Sequence, residues 1–171
     1  PALLAEPWLA AASVVYCVWE RAAEPLFEAA TKRGLAILAR QPLAGGALAG
    51  RLGPGAVLSL RDDRRDLDDA ALERIAVALA RLAPLVKREP AVVRASEAAK
   101  KIAATTARPE HVECLDVAEL ALRFAIDRAG VALPRLHRRE HLPAALAAAL
   151  APPLSAALVA RILEAPGDPV T

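Results

Sequence analysis

Three runs, Ser13-Val14-Val15-Tyr16-Cys17-Val18-Trp19, Glu24-Pro25-Leu26-Phe27-Glu28-Ala29-Ala30-Thr31-Lys32-Arg33-Gly34 and Leu35-Ala36-Ile37-Leu38-Ala39, follow one another closely. The first is β-branched and aromatic and has the length of a strand. The second places Pro25 in a first helical turn, gathers Leu26, Phe27 and Ala30 on one face and ends at Gly34, where helices commonly stop. The third is wholly apolar, the pattern of a strand buried on both faces of a parallel sheet. Strand, helix, strand in this order predicts a β-α-β unit, because parallel strands need a crossover between them.

The same alternation extends outward. Pro1 to Ala12 is helix-compatible. Downstream, Gln41-Pro42-Leu43-Ala44-Gly45-Gly46-Ala47-Leu48-Ala49-Gly50 reads as a loop, followed by a Pro/Gly-bearing stretch and the mixed charge run from Arg61 to Asp66, which reads as solvated surface. Asp68 and Asp69 open a helix with Leu72, Ile75, Leu79 and Leu82 at helical spacing, ending near Lys87 before Pro90. One helix is expected between Val92 and Pro109. An amphipathic helix over Asp116–Asp127 stops at Gly130, and Val131-Ala132-Leu133 is a third short strand. Two further helices are expected, Arg139–Leu150 and Ser155–Glu164, before a Pro/Gly tail over 165–171 that should fray.

Composition narrows the function classes. Of 171 residues 56% are hydrophobic and 25% charged, which fits an ordinary globular domain, and only 3% are aromatic, so Ala, Leu and Val carry a helix-rich core. With 22 Lys and Arg against 20 Asp and Glu, the net charge of +2 gives no electrostatic footprint for nucleic acid. Cys17 and Cys114 lie far apart, which argues against a disulfide framework or a Cys-rich zinc site. No apolar stretch reaches the roughly 20 residues of a membrane span, and a basic signal-peptide start is missing, so no membrane partner and a cytoplasmic location are expected. The chain begins at Pro1 and contains no Met, which suggests the downstream part of a longer protein.

Three segments carry a family likeness. Glu24 to Ala39 is one. Ala39-Arg40-Gln41-Pro42-Leu43-Ala44-Gly45-Gly46-Ala47-Leu48-Ala49-Gly50-Arg51 is similar to the pattern A-Y-S-P-L-A/G-G-G-x-L-T/S-G-K. Leu120-Ala121-Leu122-Arg123-Phe124 before Gly130, with Leu133-Pro134-Arg135-Leu136-His137-Arg138-Arg139-Glu140-His141-Leu142 after it, is similar to L-A-L-R-W and P-G/K-x-x-S/T-P-E-x-L. Together they make Val14 to Leu150 resemble the C-terminal portion of an aldo-keto reductase, about the last three strands of its barrel. The implied fold class is α/β, with parallel (β/α) units forming the C-terminal part of a TIM (β/α)₈ barrel. The chain is then a single partial domain whose partner is the N-terminal barrel half.

The resemblance implies NADPH as cofactor and a small-molecule carbonyl compound, an aldehyde or ketone, as substrate. Gln41, Leu43 and Gly45 would line the pyrophosphate, while Arg135, Arg138 and His141 would surround the 2′-phosphate. The loop chemistry agrees: Gly45 and Gly46 allow close backbone approach, and an Arg-rich turn opening a helix favours an anion. Some positions depart from the family pattern. Arg40 stands where an aromatic stacks on the nicotinamide, Tyr16 falls near the carboxamide-binding Gln, and Ala144 and Ala145 replace the Glu-Asn pair that holds adenine. Either the Arg40 guanidinium or the Tyr16 ring would offer a stacking surface. The family's catalytic Asp, Tyr, Lys and His belong to earlier strands, so no proton donor is assigned here. The alternative function is a non-catalytic nucleotide-binding or scaffold module derived from the same barrel.

His137-Arg138-Arg139-Glu140-His141 also spells H-x-x-E-H, a zinc-protease signature. That chemistry needs both His on one helical face, whereas Pro134 and Pro143 bracket the motif, so it reads as a turn rather than a metal site. Finally, three parallel strands leave both sheet edges unpaired and an apolar face, expected to include Val15, Ile37 and Leu133, without a partner layer. The 171-residue chain by itself is therefore expected to aggregate or oligomerise.

Overall fold

A computed structural model describes residues 6–58, 62, 64–136, 138–165 and 169. Its centre is a three-stranded parallel sheet in the order β1 (Ala11–Val15), β2 (Ala36–Arg40), β3 (Gly130–Leu133). Helix α1 (Glu24–Lys32) crosses from β1 to β2, with Pro25 in its first turn and its end ahead of Gly34. Between β2 and β3 lie α2 (Asp69–Leu82), α3 (Ala91–Ala95), α4 (Glu97–Thr105) and α5 (Val117–Ala129). After β3 come α6 (Leu142–Leu150) and α7 (Ala156–Glu164).

The helices start where their capping residues stand. Asp68, Ser96, Asp116 and Ser155 each accept a backbone N–H from the first turn of α2, α4, α5 and α7, a contribution of about 1 kcal/mol apiece. Glu119 reaches back to the N–H of Leu115 as well, at 2.8 Å, which fixes the entry to α5. Gly130, at φ 85°, ends α5 and opens β3 without a linker, a backbone setting that suits a residue lacking Cβ.

Register decides which side of the sheet is covered. Ala12, Val14, Ile37, Ala39 and Ala132 share one face through the pairs Ala12↔Ile37, Val14↔Ala39 and Ala39↔Ala132, and this face packs into the helical core. The other face carries Ser13, Val15, Leu38, Arg40, Val131 and Leu133, in the pairs Ser13↔Leu38↔Val131 and Val15↔Arg40↔Leu133. It is largely open, with Leu133 44% and Val131 40% exposed. Ile37, 6% exposed, thus belongs to the covered face and not with Val15 and Leu133, because side chains alternate along a strand and only the pairing fixes the parity.

Other expectations shift with the structure. Residues 6–10 contain a turn at Pro7–Trp8 rather than helix, and β1 starts at Ala11 and ends at Val15. Tyr16 to Trp19 leave the sheet as a buried loop, the Cys17 N–H bonding the Glu20 carbonyl at 2.9 Å. β2 is buried on one face only. The α2 helix stops at Leu82, where a 3₁₀ turn through Pro84 leads to the bridge Val86↔Cys114. Two helices, α3 and α4, replace the single one expected: Ser96 breaks the run, capping α4 while donating to Glu73 at 2.5 Å. At the other end, Arg139–His141 form a 3₁₀ turn ahead of α6. In the tail, Ala165 is buried, its carbonyl accepting from Arg21, and the Pro169 carbonyl accepts from Arg74. Residues 166–168 and 170–171 of the tail expected to fray, and residues 1–5, lie outside the described residues.

At the core, Tyr16 stacks on Phe124 (5.8 Å, 13°) and meets Phe27 edge-on (4.9 Å). Its hydroxyl donates to Glu24 at 2.6 Å and accepts from Arg128 Nε at 2.9 Å, which also bonds Glu24. Burial and the Glu24 carboxylate push the phenol well above the ordinary tyrosine range. The phenol of the unfolded chain ionises near pH 10, so this contribution is complete below that pH and is lost as pH rises toward the higher folded value. Stability is expected to fall by about 1.4 kcal/mol per pH unit above about pH 10. Denaturant titrations at stepped alkaline pH check this, with Tyr16→Phe flattening the slope.

Candidate functional site

The two loops that the sequence singles out leave one edge of the sheet. β2 ends at Arg40 and β3 at Leu133, and these residues are register partners, so Gln41 and Pro134 begin side by side at the C-terminal ends of parallel strands. In parallel α/β folds this is the edge where ligands are held.

The first loop is tightly wound. Gln41 (φ 58°), Ala44 (47°), Gly45 (62°) and Gly46 (96°) are all in the left-handed region. Two of the four carry a Cβ, at a cost of about 1–2 kcal/mol each. Hydrogen bonds hold the turn: Ala44 N–H to the Gln41 carbonyl (2.8 Å), and Gly46 and Leu48 N–H to the Leu43 carbonyl (2.8 and 3.2 Å). The Leu43 side chain packs on the core, leaving its backbone to the loop, while Gln41 and Gly45 are exposed.

A residue that the sequence reading left on the surface completes this loop. Arg64 donates Nη1 to the Gly45 carbonyl at 3.0 Å, and a Cβ on Gly46 would lie only 2.7 Å from that nitrogen. Its Nε and Nη2 both bond the Asp62 carboxylate, at 2.8 Å each, and its N–H bonds the same group at 3.0 Å. These bonds hold Asp62 well below the usual carboxylate range, and the charge of Arg135 adds to the effect. The structure thus gathers Gly45, Gly46, Arg64, Asp62 and Arg135 at one edge. Beside them a cleft of about 280 Å³ is lined by Gly45, Ala47, Leu52, Arg64, Leu67 and Ile75, among others. Asp62 and Arg64 correct the reading of the charge run as plain solvated surface; an alternating-sign block does not itself show which member folds back.

Arg138 and His141 are arranged differently. Arg138 Nη1 lies 3.4 Å and His141 Nε2 3.9 Å from the same Glu140 oxygen, and the His141 N–H bonds the Arg138 carbonyl at 3.1 Å. They form a mixed-charge cluster at the entry to α6, next to exposed Arg135, with Ala144 and Ala145 in the first turns of the helix. Of the H-x-x-E-H sequence, Glu140 and His141 sit in the 3₁₀ turn and His137 lies outside the described residues. Among the described residues no group of three or more His, Cys, Asp or Glu is placed to hold a metal ion.

Tyr16 is removed from the candidate site. Its ring is fully buried against Phe27 and Phe124, so it offers no stacking surface to a ligand. Arg40, by contrast, is exposed at the end of β2, on the open face with Val15 and Leu133. Cys114 is buried, and desolvation pushes its thiol up to about 11. Among the described residues no helix is long and apolar enough to cross a membrane.

What the arrangement offers an anion is the exposed charge of Arg135 beside a glycine-containing loop and a half-open cleft, the charge of Arg64 being matched by Asp62. Among curated proteins no significant match to the chain is found. The model of the aldo/keto reductase family, however, matches residues 4–165, almost the whole chain. With the parallel sheet and the strand-end loops in place, the chain belongs to the aldo/keto reductase family.

Proposed function

We propose that the chain is the NADPH-binding, C-terminal portion of an aldo/keto reductase barrel, a partial domain completed by N-terminal strands. The observation that carries this reading is the shared edge: Arg40 and Leu133 are register partners, so the Gln41–Gly46 loop and the Arg135–His141 turn open side by side. The family typically uses NAD(P)H and implies small carbonyl substrates. The open sheet face, with Val15, Leu38 and Leu133, suits the inside of a barrel, since helices cover the outside of that fold.

The residues present fit a dinucleotide at its phosphates. Exposed Gln41 and Gly45, with the Leu43 backbone, form a wound loop that a phosphate can approach, and Arg64 lies against it. Arg135 and Arg138 supply positive charge where a 2′-phosphate would sit, with the His141 imidazole beside them, although Glu140 offsets part of the charge. When bound, the cofactor supplies the hydride. This chain's residues bind and orient it; the single tyrosine, Tyr16, is locked in the core and is not available as a proton donor.

Titration of NADPH and NADH into the protein, followed by cofactor fluorescence, tests the reading. NADPH is expected to bind at least about tenfold more tightly, equivalent to about 1.4 kcal/mol. Combining Arg135→Ala with Arg138→Ala should remove that preference while changing NADH affinity little. Equal affinity for the two cofactors overturns the 2′-phosphate assignment. The second reading, a non-catalytic nucleotide-binding or scaffold module, is favoured by Ala144 and Ala145, which offer no side-chain hydrogen bonds to an adenine. It predicts that neither dinucleotide supports carbonyl reduction in the full-length protein.

A further inference from the structure

The Gln41–Gly46 loop combines four left-handed residues, two of them not glycine, with the Arg64 side chain, from a distant segment, bonded to its Gly45 carbonyl. We infer that Arg64, braced by Asp62, is a positioning residue that holds this loop in its strained form, so that the loop is shaped before any ligand arrives. The inference rests on the proposed cofactor site for its consequence, but not for its geometry.

Strained backbone persists where its surroundings over-determine it. The bonds inside the loop join neighbours, from Ala44 to Gln41 and from Gly46 and Leu48 to Leu43, so they can shift together with the loop. Arg64 is different, since its Nη1 bond to the Gly45 carbonyl spans 19 positions of sequence. The guanidinium is held in turn: Nε and Nη2 grip both oxygens of Asp62 in a planar fork, and the Arg64 N–H closes a short turn on the same carboxylate. A fork of this kind fixes the plane as well as the position of the donor, which a lysine ammonium would not do. A Cβ on Gly46 would lie 2.7 Å from Arg64 Nη1, so a side chain there would push the guanidinium tip off the Gly45 carbonyl. A positioned loop loses less conformational freedom on binding, and that gain appears as affinity.

Amide hydrogen exchange in the free protein tests the brace without any cofactor. In Arg64→Ala the amides of Ala44, Gly46 and Leu48 should exchange about tenfold faster, while the global unfolding midpoint stays in place. Asp62→Ala should give a smaller change of the same sign. Ala44→Gly placed in the Arg64→Ala background should recover most of the protection, because glycine adopts φ 47° without the steric cost. A purely surface role for Arg64 would not produce that rescue. Unchanged exchange in Arg64→Ala, or no recovery with Ala44→Gly, overturns the inference. NADPH affinity measured on the same variants should follow the exchange, weakening severalfold in Arg64→Ala and returning with Ala44→Gly. Failure of NADPH to bind even the unaltered protein counts against the cofactor reading, and the exchange result still decides the brace.

Discussion

Replacing Arg123 with Ala is expected to lower the unfolding free energy by about 3 kcal/mol. For a chain of this size that is a fall of about 6–12 °C in melting temperature. The guanidinium is buried on α5 and knits three segments together. It donates to the Pro152 carbonyl (2.7 Å), to the Glu113 carbonyl (3.4 Å) and to Cys114 Sγ (3.4 Å), and lies within 3.5 and 3.8 Å of the Glu119 and Glu113 carboxylates. Glu113 also bonds the hydroxyl and N–H of Ser155, the cap of α7, so losing Arg123 loosens the docking of the last helix. Alanine leaves those carbonyls and carboxylates in a partly dry space without a donor. Lysine should restore little, as it cannot serve several acceptors in one plane. Urea unfolding of the three proteins measures this, and a loss under about 1 kcal/mol would show that water replaces the guanidinium.

The second large effect is a contrast between neighbours. Ile37→Asp places a carboxylate on the covered sheet face and is expected to cost at least about 4 kcal/mol or to prevent folding. Leu38→Asp, one position on, points to the open face and should be tolerated far better by the 171-residue chain. If the proposed N-terminal strands complete a barrel around that face, Leu38→Asp in the completed barrel should be as damaging as Ile37→Asp. Light scattering and thermal melts of both variants in both contexts check the contrast. An equal, small effect of Leu38→Asp in both contexts would contradict the barrel reading. The same open face underlies the proposal that the 171-residue chain by itself self-associates.

The helices were legible because their signals are local. Asp68, Asp116 and Ser155 stand at their caps, and the Leu72, Ile75, Leu79, Leu82 spacing is buried as a stripe. The parallel sheet followed from strand-helix-strand order. The boundaries of β1 did not, since Ser13–Trp19 is one apolar run in sequence and its second half is a buried loop, a distinction that only packing against Phe27 and Phe124 makes. Face assignment failed at Ile37 because parity depends on register. The break at Ser96 depends on Glu73, 23 positions away, and the placement of Arg64 on Gly45 depends on a contact across 19. At the candidate site, the Gly45–Gly46 loop and Arg135 were readable as anion-binding types, whereas the burial of Tyr16 and the pairing of Arg138 and His141 around Glu140 emerge only in three dimensions.

We propose that the loops following β2 and β3 hold one dinucleotide between them. Hydrogen exchange of the full-length protein with and without saturating NADPH tests it most directly. Added protection is expected in two separate segments, 41–50 and 135–142, with the second reduced when NADH replaces NADPH. Protection confined to one segment, or absent from both while NADPH is bound, would contradict it.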